Sequence, residues 1–113
     1  MHLVVAVEAL SALAHPNRLA VCRLLVRAGP EGMPAGAIAG AVGARPSTLS
    51  THLAILARPG LIAARRKGRS LIYSADYEAM RALLGFLVAD CCGGRPEICG
   101  ALAEAAALPG CSA

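Results

Sequence analysis

Between Ala35 and Arg58 two short apolar stretches meet at a glycine, and this corner restricts the fold more than any other feature of the chain. Ala35 to Val42 makes a short helix, and Gly43 can take the left-handed conformation that turns the backbone after it. Arg45-Pro46-Ser47 then opens a second helix that runs to about Arg58. The spacing Ala39-x-x-x-Gly43 provides a small residue where two helices approach and a tight corner between them, the mechanical need of a helix-turn-helix. Leu49, Leu53 and Leu56 share one side of the second helix, so Ser47, Thr48, Thr51 and Arg58 show on the other, with His52 at the border. A short polar face backed by leucines is what a recognition helix presents.

The rest of the chain supplies a frame for that pair. Leu3, Val7, Leu10 and Leu13 repeat at helical spacing until His15-Pro16 breaks the run, because a residue before proline avoids the helical region. Pro16 starts another helix, with Leu19, Cys22, Leu25 and Val26 on one side, ending at Gly29-Pro30. Glu31 to Pro34 reads as a loop. After Gly60, Ile62 to Arg66 and Leu71 to Ser74 read as two strands joined through Lys67-Gly68-Arg69, a hairpin with a basic tip. Asp76 caps a last helix in which Tyr77, Met80, Leu83, Leu84, Leu87, Val88 and Cys91 recur at intervals of three and four. That stripe is long enough to serve a partner subunit. Gly93-Gly94 ends the helix, and the alanine-rich residues from Gly100 onward form a short helix or none.

Charge is distributed unevenly. Six basic residues and no acidic one lie between Gly32 and Ala75, against five basic and seven acidic elsewhere. A local positive field of this kind fits a nucleic-acid face. The 113 residues suffice for one domain, and a chain 57% hydrophobic but only 3% aromatic needs an aliphatic core of close-packed helices. No apolar run reaches the roughly 18 to 20 residues of a membrane span. The apolar start imitates a secretory signal, but it lacks a basic first segment and Glu8 interrupts it, so it reads as a helix of the mature protein. Five cysteines, an odd number without secretory context, fit reduced thiols in a cytoplasm. No Cys-His, paired-carboxylate or phosphate-loop constellation points to an enzyme.

Several stretches together resemble one family. They are His15-Pro16-Asn17-Arg18-Leu19, Ile38-Ala39 with Gly43, and Ser47-Thr48-Leu49-Ser50-Thr51-His52-Leu53 with Leu56. Gly60-Leu61-Ile62, Arg65-Arg66, Gly68-Arg69 and Tyr73 continue the match, which covers about Glu8 to Val88. The chain resembles the ArsR family of winged-helix repressors, bacterial cytoplasmic dimers that leave their operator on binding a toxic metal or metalloid. The resemblance implies a mainly α, homodimeric winged helix-turn-helix with a β-hairpin wing, its dimer contact made by the first and last helices. Residues 1–92 would form the DNA-binding and dimerisation domain and residues 93–113 a cysteine-containing tail. Ser47, Thr48, Thr51 and His52 would face base edges and nearby phosphates of operator double-stranded DNA. Arg45, Arg58, Arg65, Arg66, Lys67 and Arg69 would anchor its backbone.

Departures from the family narrow the input. Ala35 to Val42 lacks the cysteine pair of the founding sensors, and Asp76 to Asp90 lacks the histidine of the zinc sensors. A further group binds trivalent arsenic with two adjacent cysteines at the end of the last helix and a third shortly after. Cys91, Cys92 and Cys99 match that pattern, with a gap one residue longer. Adjacent helical residues point about 100° apart, so Cys91 and Cys92 converge only if the last turn unwinds, which Gly93-Gly94 makes easy. The seven steps from Cys92 to Cys99 reach roughly 23 Å, ample for closing a three-thiol site.

Zinc on three thiolates stays anionic and wants a fourth ligand, and His2, His15 and His52 are remote in sequence. Trivalent arsenic or antimony forms a neutral pyramid with three thiolates, which suits a helix C-terminus beside Asp90. As(III) is therefore the expected inducer, with Sb(III) close behind, and cadmium or lead would draw on Cys111 as a fourth donor. Two other readings stay open. One is a thiol-redox or persulfide sensor of the same fold pairing Cys22 with Cys91 or Cys92, although Cys22 on an apolar stripe also suits a small buried hydrophobe. The other is a thiol-rich metal-binding or storage protein that does not touch DNA.

Overall fold

The computed structural model describes residues 1–88. Helix α1 (Leu3–Leu13) ends ahead of His15-Pro16, and α2 (Pro16–Ala28) begins on that proline. His15 caps α2 with its own side chain, since Nδ1 accepts the Asn17 N–H at 3.1 Å. Arg18 donates from Nε to the Ala12 carbonyl at 2.6 Å, so one four-residue stretch satisfies orphan groups at the end of α1 and the start of α2. Leu19 does not share the core stripe expected of it and is 46% exposed. At 100° per residue it lies about 120° from Leu25, and Val21 takes the core position with Cys22 and Leu25.

The segment expected to be a loop contains a strand. β1 (Met33–Pro34) pairs antiparallel with β3 (Ser70–Ala75), which also pairs with β2 (Ile62–Lys67), giving the order β1-β3-β2. Met33 sits opposite Tyr73, and Ile62 opposite Ala75. Gly32 makes this junction at φ 73°, where a Cβ would collide with the Tyr73 carbonyl oxygen. The β2–β3 hairpin is tighter than expected, because Lys67 already pairs with Ser70 and only Gly68-Arg69 spans the turn.

Helices α3 (Ala35–Val42) and α4 (Pro46–Ala57) are joined through Gly43 in the left-handed region at φ 69°. The expected corner is thus present, with Ala39 buried where the two helices cross. Helix α5 (Tyr77–Val88) is capped by Asp76, whose Oδ1 accepts the Ala79 N–H at 3.0 Å. Its first turn is fixed to α2 by the Tyr77 hydroxyl, which donates to the Val26 carbonyl at 3.0 Å. The core is aliphatic, with Leu25, Ile38, Leu49, Leu56 and Leu61 fully enclosed.

Helix α1 contributes alanines to this core, Ala6, Ala9 and Ala12, and turns Leu3, Val4, Val7 and Leu10 outward. Leu3 and Val7 are 67% and 53% exposed, and Leu84 and Leu87 of α5 are exposed as well. Among the described residues no helix is long and apolar enough to cross a membrane. Cys91, Cys92, Cys99 and Cys111, with the proposed tail of residues 93–113, lie outside the described residues.

Candidate nucleic-acid interface

Helix α4 sorts its side chains by a three-and-four spacing. Leu49, His52, Leu53 and Leu56 are buried, and Ser47, Thr48, Ser50, Thr51 and Ala54 are exposed. Ser47, Thr48 and Thr51 therefore stand where the sequence put them, on the solvent face, with Arg45 at the N-cap and Arg58 at the C-cap. Ser50 and Ala54 belong to the same face and were missed. The signal that finds them is the i, i+3, i+4 and i+7 line from Ser47 through Ser50 and Thr51 to Ala54.

His52 departs from the expected set. It is 6% exposed and is the one buried polar side chain among the described residues, so it does not join the solvent face of α4. Its ring packs against His15 at a centroid distance of 4.6 Å and a 46° tilt, and its Nδ1 has no hydrogen-bond partner among the described residues. Burial first, then the positive charges of His15 and Arg18, pushes its pKa below the ordinary imidazole value. The spacing Leu49, His52, Leu53, Leu56 is a complete i, i+3, i+4, i+7 core stripe, so position outweighed polarity.

The wing supplies charge. Arg65, Arg66, Lys67 and Arg69 are all exposed. Among the described residues the ion pair is Arg81–Glu78 on α5, which leaves the wing cations without a carboxylate partner. Arg65 is nonetheless engaged, donating from its guanidinium to the Glu31 carbonyl at 2.9 Å and the Pro30 carbonyl at 3.4 Å. It fastens β2 to the α2–β1 connection. Arg66, Lys67 and Arg69 make no such bond among the described residues. The Arg69 end stands across a cleft of about 300 Å³ from Pro34, Ala35 and Gly36 at the start of α3. Ser50 of α4 and Tyr73 of β3 line a second cleft, so the wing, α3 and α4 meet on one side of the molecule.

Comparison with known proteins assigns this arrangement. The family described as a helix-turn-helix domain matches residues 13–65, from the α1–α2 junction to the middle of β2. A solved homodimeric winged helix-turn-helix DNA-binding domain, Mb0332 of Mycobacterium bovis, described as a possible ArsR-family regulator, is 32% identical. It superposes with a TM-score of 0.63 over 76% of this chain and 79% of its own. The chain belongs to the ArsR family of winged helix-turn-helix regulators.

Two further proteins are similar to this chain. The nodulation protein NolR of Rhizobium meliloti is 40% identical over 78 residues, 69% of this chain. The match spans only 62% of NolR's own length. A solved possible transcriptional regulator for arsenical resistance is 25% identical, with a TM-score of 0.61 over 86% of this chain and 95% of its own.

As for an ArsR input site, no group of three or more His, Cys, Asp or Glu side chains able to hold a metal ion occurs among the described residues. Cys22 is buried, 3.9 Å from the Met80 sulfur, and burial pushes its thiol pKa up. A thiol so placed is a weak nucleophile.

Proposed function

We propose that the protein is a homodimeric transcriptional repressor that binds operator DNA through α4 and the wing and releases it when trivalent arsenic, or antimony, is captured by Cys91, Cys92 and Cys99. The observation that carries the DNA half is the pairing of an uncharged polar face on α4 with wing cations that have no carboxylate partner among the described residues. Base edges are read by a helix in the major groove, and phosphates are met by cations around it. The outward aliphatic residues of α1 and α5 support a two-fold contact between copies, which would set two recognition helices about 34 Å apart.

The arsenic half rests on the Cys91, Cys92 and Cys99 pattern, three residues beyond the last described turn of α5. Likeness to the regulator for arsenical resistance supports it. Cys22 is enclosed beside Met80 with its thiol pKa pushed up by burial, which counts against the redox alternative.

In the proposed mechanism the ion draws the three thiols together, alters the end of α5 and favours a dimer spacing that mismatches the operator. A coupling of about 1 to 3 kcal/mol changes affinity roughly 5- to 150-fold, enough for derepression. The test is fluorescence anisotropy on DNA from upstream of the chain's own gene, titrated separately with trivalent arsenic, antimony, cadmium, zinc and polysulfide. Release by arsenic that survives the Cys91→Ser, Cys92→Ser double variant would defeat the site assignment. Release by polysulfide alone would favour the redox alternative. Absence of salt-dependent DNA binding would favour a metal-storage role.

A further inference from the structure

The chemistry of the α4 face restricts what it can read. Strong direct readout of a base uses Arg or Lys bidentate to guanine, Asn or Gln bidentate to adenine, or a carboxylate accepting from the cytosine N4 amino group. None of these residues occurs between Pro46 and Ala57. His52, the one side chain there with two ring nitrogens, is turned into the core against His15. Arg45 and Arg58 lie at the two ends, outside the helix body.

The exposed side chains that remain are Pro46, Ser47, Thr48, Ser50, Thr51, Ala54 and Ala57. Hydroxyls both donate and accept, so they accept either base and discriminate weakly. The Thr51 hydroxyl is further occupied, since Oγ1 donates back to the Ser47 carbonyl at 3.4 Å. Its methyl group is then the part of the side chain not committed to the helix backbone. Ala54 follows on the same line and presents a methyl with no polar atom at all. The group on a base edge that such methyls complement is the C5-methyl of thymine, which projects into the major groove.

We infer that α4 reads thymine by methyl-to-methyl contact, through Thr51 and Ala54, and that the half-site core opposite the middle of the helix is built of A·T pairs. This rests on the DNA-binding reading above and adds the base chemistry to it. Guanine opposite this segment meets no cationic fork, and its N7 and O6 acceptors are served only by hydroxyls or water. Sequence preference is then carried by apolar contact, with affinity left to the wing cations and phosphates.

The full-length protein is used to select duplexes from a randomised pool, and an enriched duplex is resynthesised with deoxyuridine replacing thymidine one position at a time. Uracil keeps the pairing edge and loses only the C5-methyl. At fixed salt, one or two thymines per half-site should each lose about fourfold in affinity on demethylation, the value of one buried methyl-sized group. Thr51→Ser, which keeps the hydroxyl and deletes the methyl, should abolish the thymine-over-uracil preference at one of those positions. Half-sites fixed by G·C pairs opposite α4, or a selected duplex indifferent to uracil everywhere, would overturn the inference while leaving DNA binding intact. Failure to enrich any duplex would overturn both.

Discussion

Arg65 and Lys67 are two residues apart on one exposed strand and carry the same charge, yet the structure gives them different work. Arg45, Arg58, Arg66, Lys67 and Arg69 are exposed cations whose side chains make no hydrogen bond or ion pair among the described residues. If each meets one phosphate, a dimer neutralises about ten, and the slope of log affinity against log salt is about −9. Between 50 and 200 mM salt that amounts to about five decades of affinity. Lys67→Ala removes two contacts per dimer and should change the slope to about −7, leaving about four decades.

Arg65→Ala should behave otherwise. Its guanidinium holds the Glu31 and Pro30 carbonyls, so its loss frees β2 from the α2–β1 connection. The slope should stay within about half a unit of the parent, and the melting temperature should fall. Anisotropy with a labelled operator duplex across that salt range, beside circular-dichroism melting, separates the two effects. An equal fall in slope for both variants, with melting unchanged for Arg65→Ala, would refute the structural role of Arg65. An unchanged slope for Lys67→Ala would refute the wing as a backbone anchor.

Stability should decline in mild acid, because the unfolded chain protonates His52 below about pH 6.5 while the folded chain resists until a lower pH. The contribution is complete above that pH and is lost as pH falls towards the folded pKa. Urea midpoints between pH 7.5 and 5.5 should shift less in His52→Gln than in the parent. Gly32→Ala combines a left-handed backbone with a collision against the Tyr73 carbonyl, and should cost more than about 1 to 2 kcal/mol in chemical denaturation. At Gly68 on the wing the backbone is also left-handed but the space is open, so Ala there should cost less. Val7→Glu with Leu87→Glu places charge in the outward aliphatic face. Sedimentation should then report a monomer whose helical content is unchanged.

Much of this architecture was legible because its signals are local. His15-Pro16 marks a helix break, Gly43 a left-handed corner and Asp76 a cap, and each depends on a few neighbouring atoms. What escaped depends on distant partners. Met33-Pro34 is too short to show alternation and becomes a strand only because β3 offers a free edge. Leu3, Val7 and Leu10 were correctly read as a helical stripe, but periodicity cannot say whether a stripe faces its own core or another copy. His52 stood at a core position by spacing and on the polar side by chemistry, and its burial needed the His15 ring as a neighbour. Cys91, Cys92 and Cys99, singled out by their spacing, lie outside the described residues.

The two faces of α1 bear on how a signal at the end of α5 could reach α4. Alanines on the inner face let α1 lie close to α2, α4 and α5, but small side chains interlock weakly and bury little area, so they fix its position with little energy. Helix α5 is divided differently. Its start is held by the Asp76 N–H to the Leu61 carbonyl, by Tyr77 to Val26 and by the contact of Met80 with Cys22, whereas Leu84 and Leu87 towards its end are exposed. Among the described residues the end of α5 and the outer face of α1 thus expose large aliphatic side chains, which in the proposed dimer a partner copy covers. Cys91 follows Val88 by three residues, so in the proposed mechanism an ion captured there acts on that layer. A coupling of a few kcal/mol need not deform the α3–α4 unit, whose leucines are fully enclosed; it need only change how two rigid reading heads are spaced.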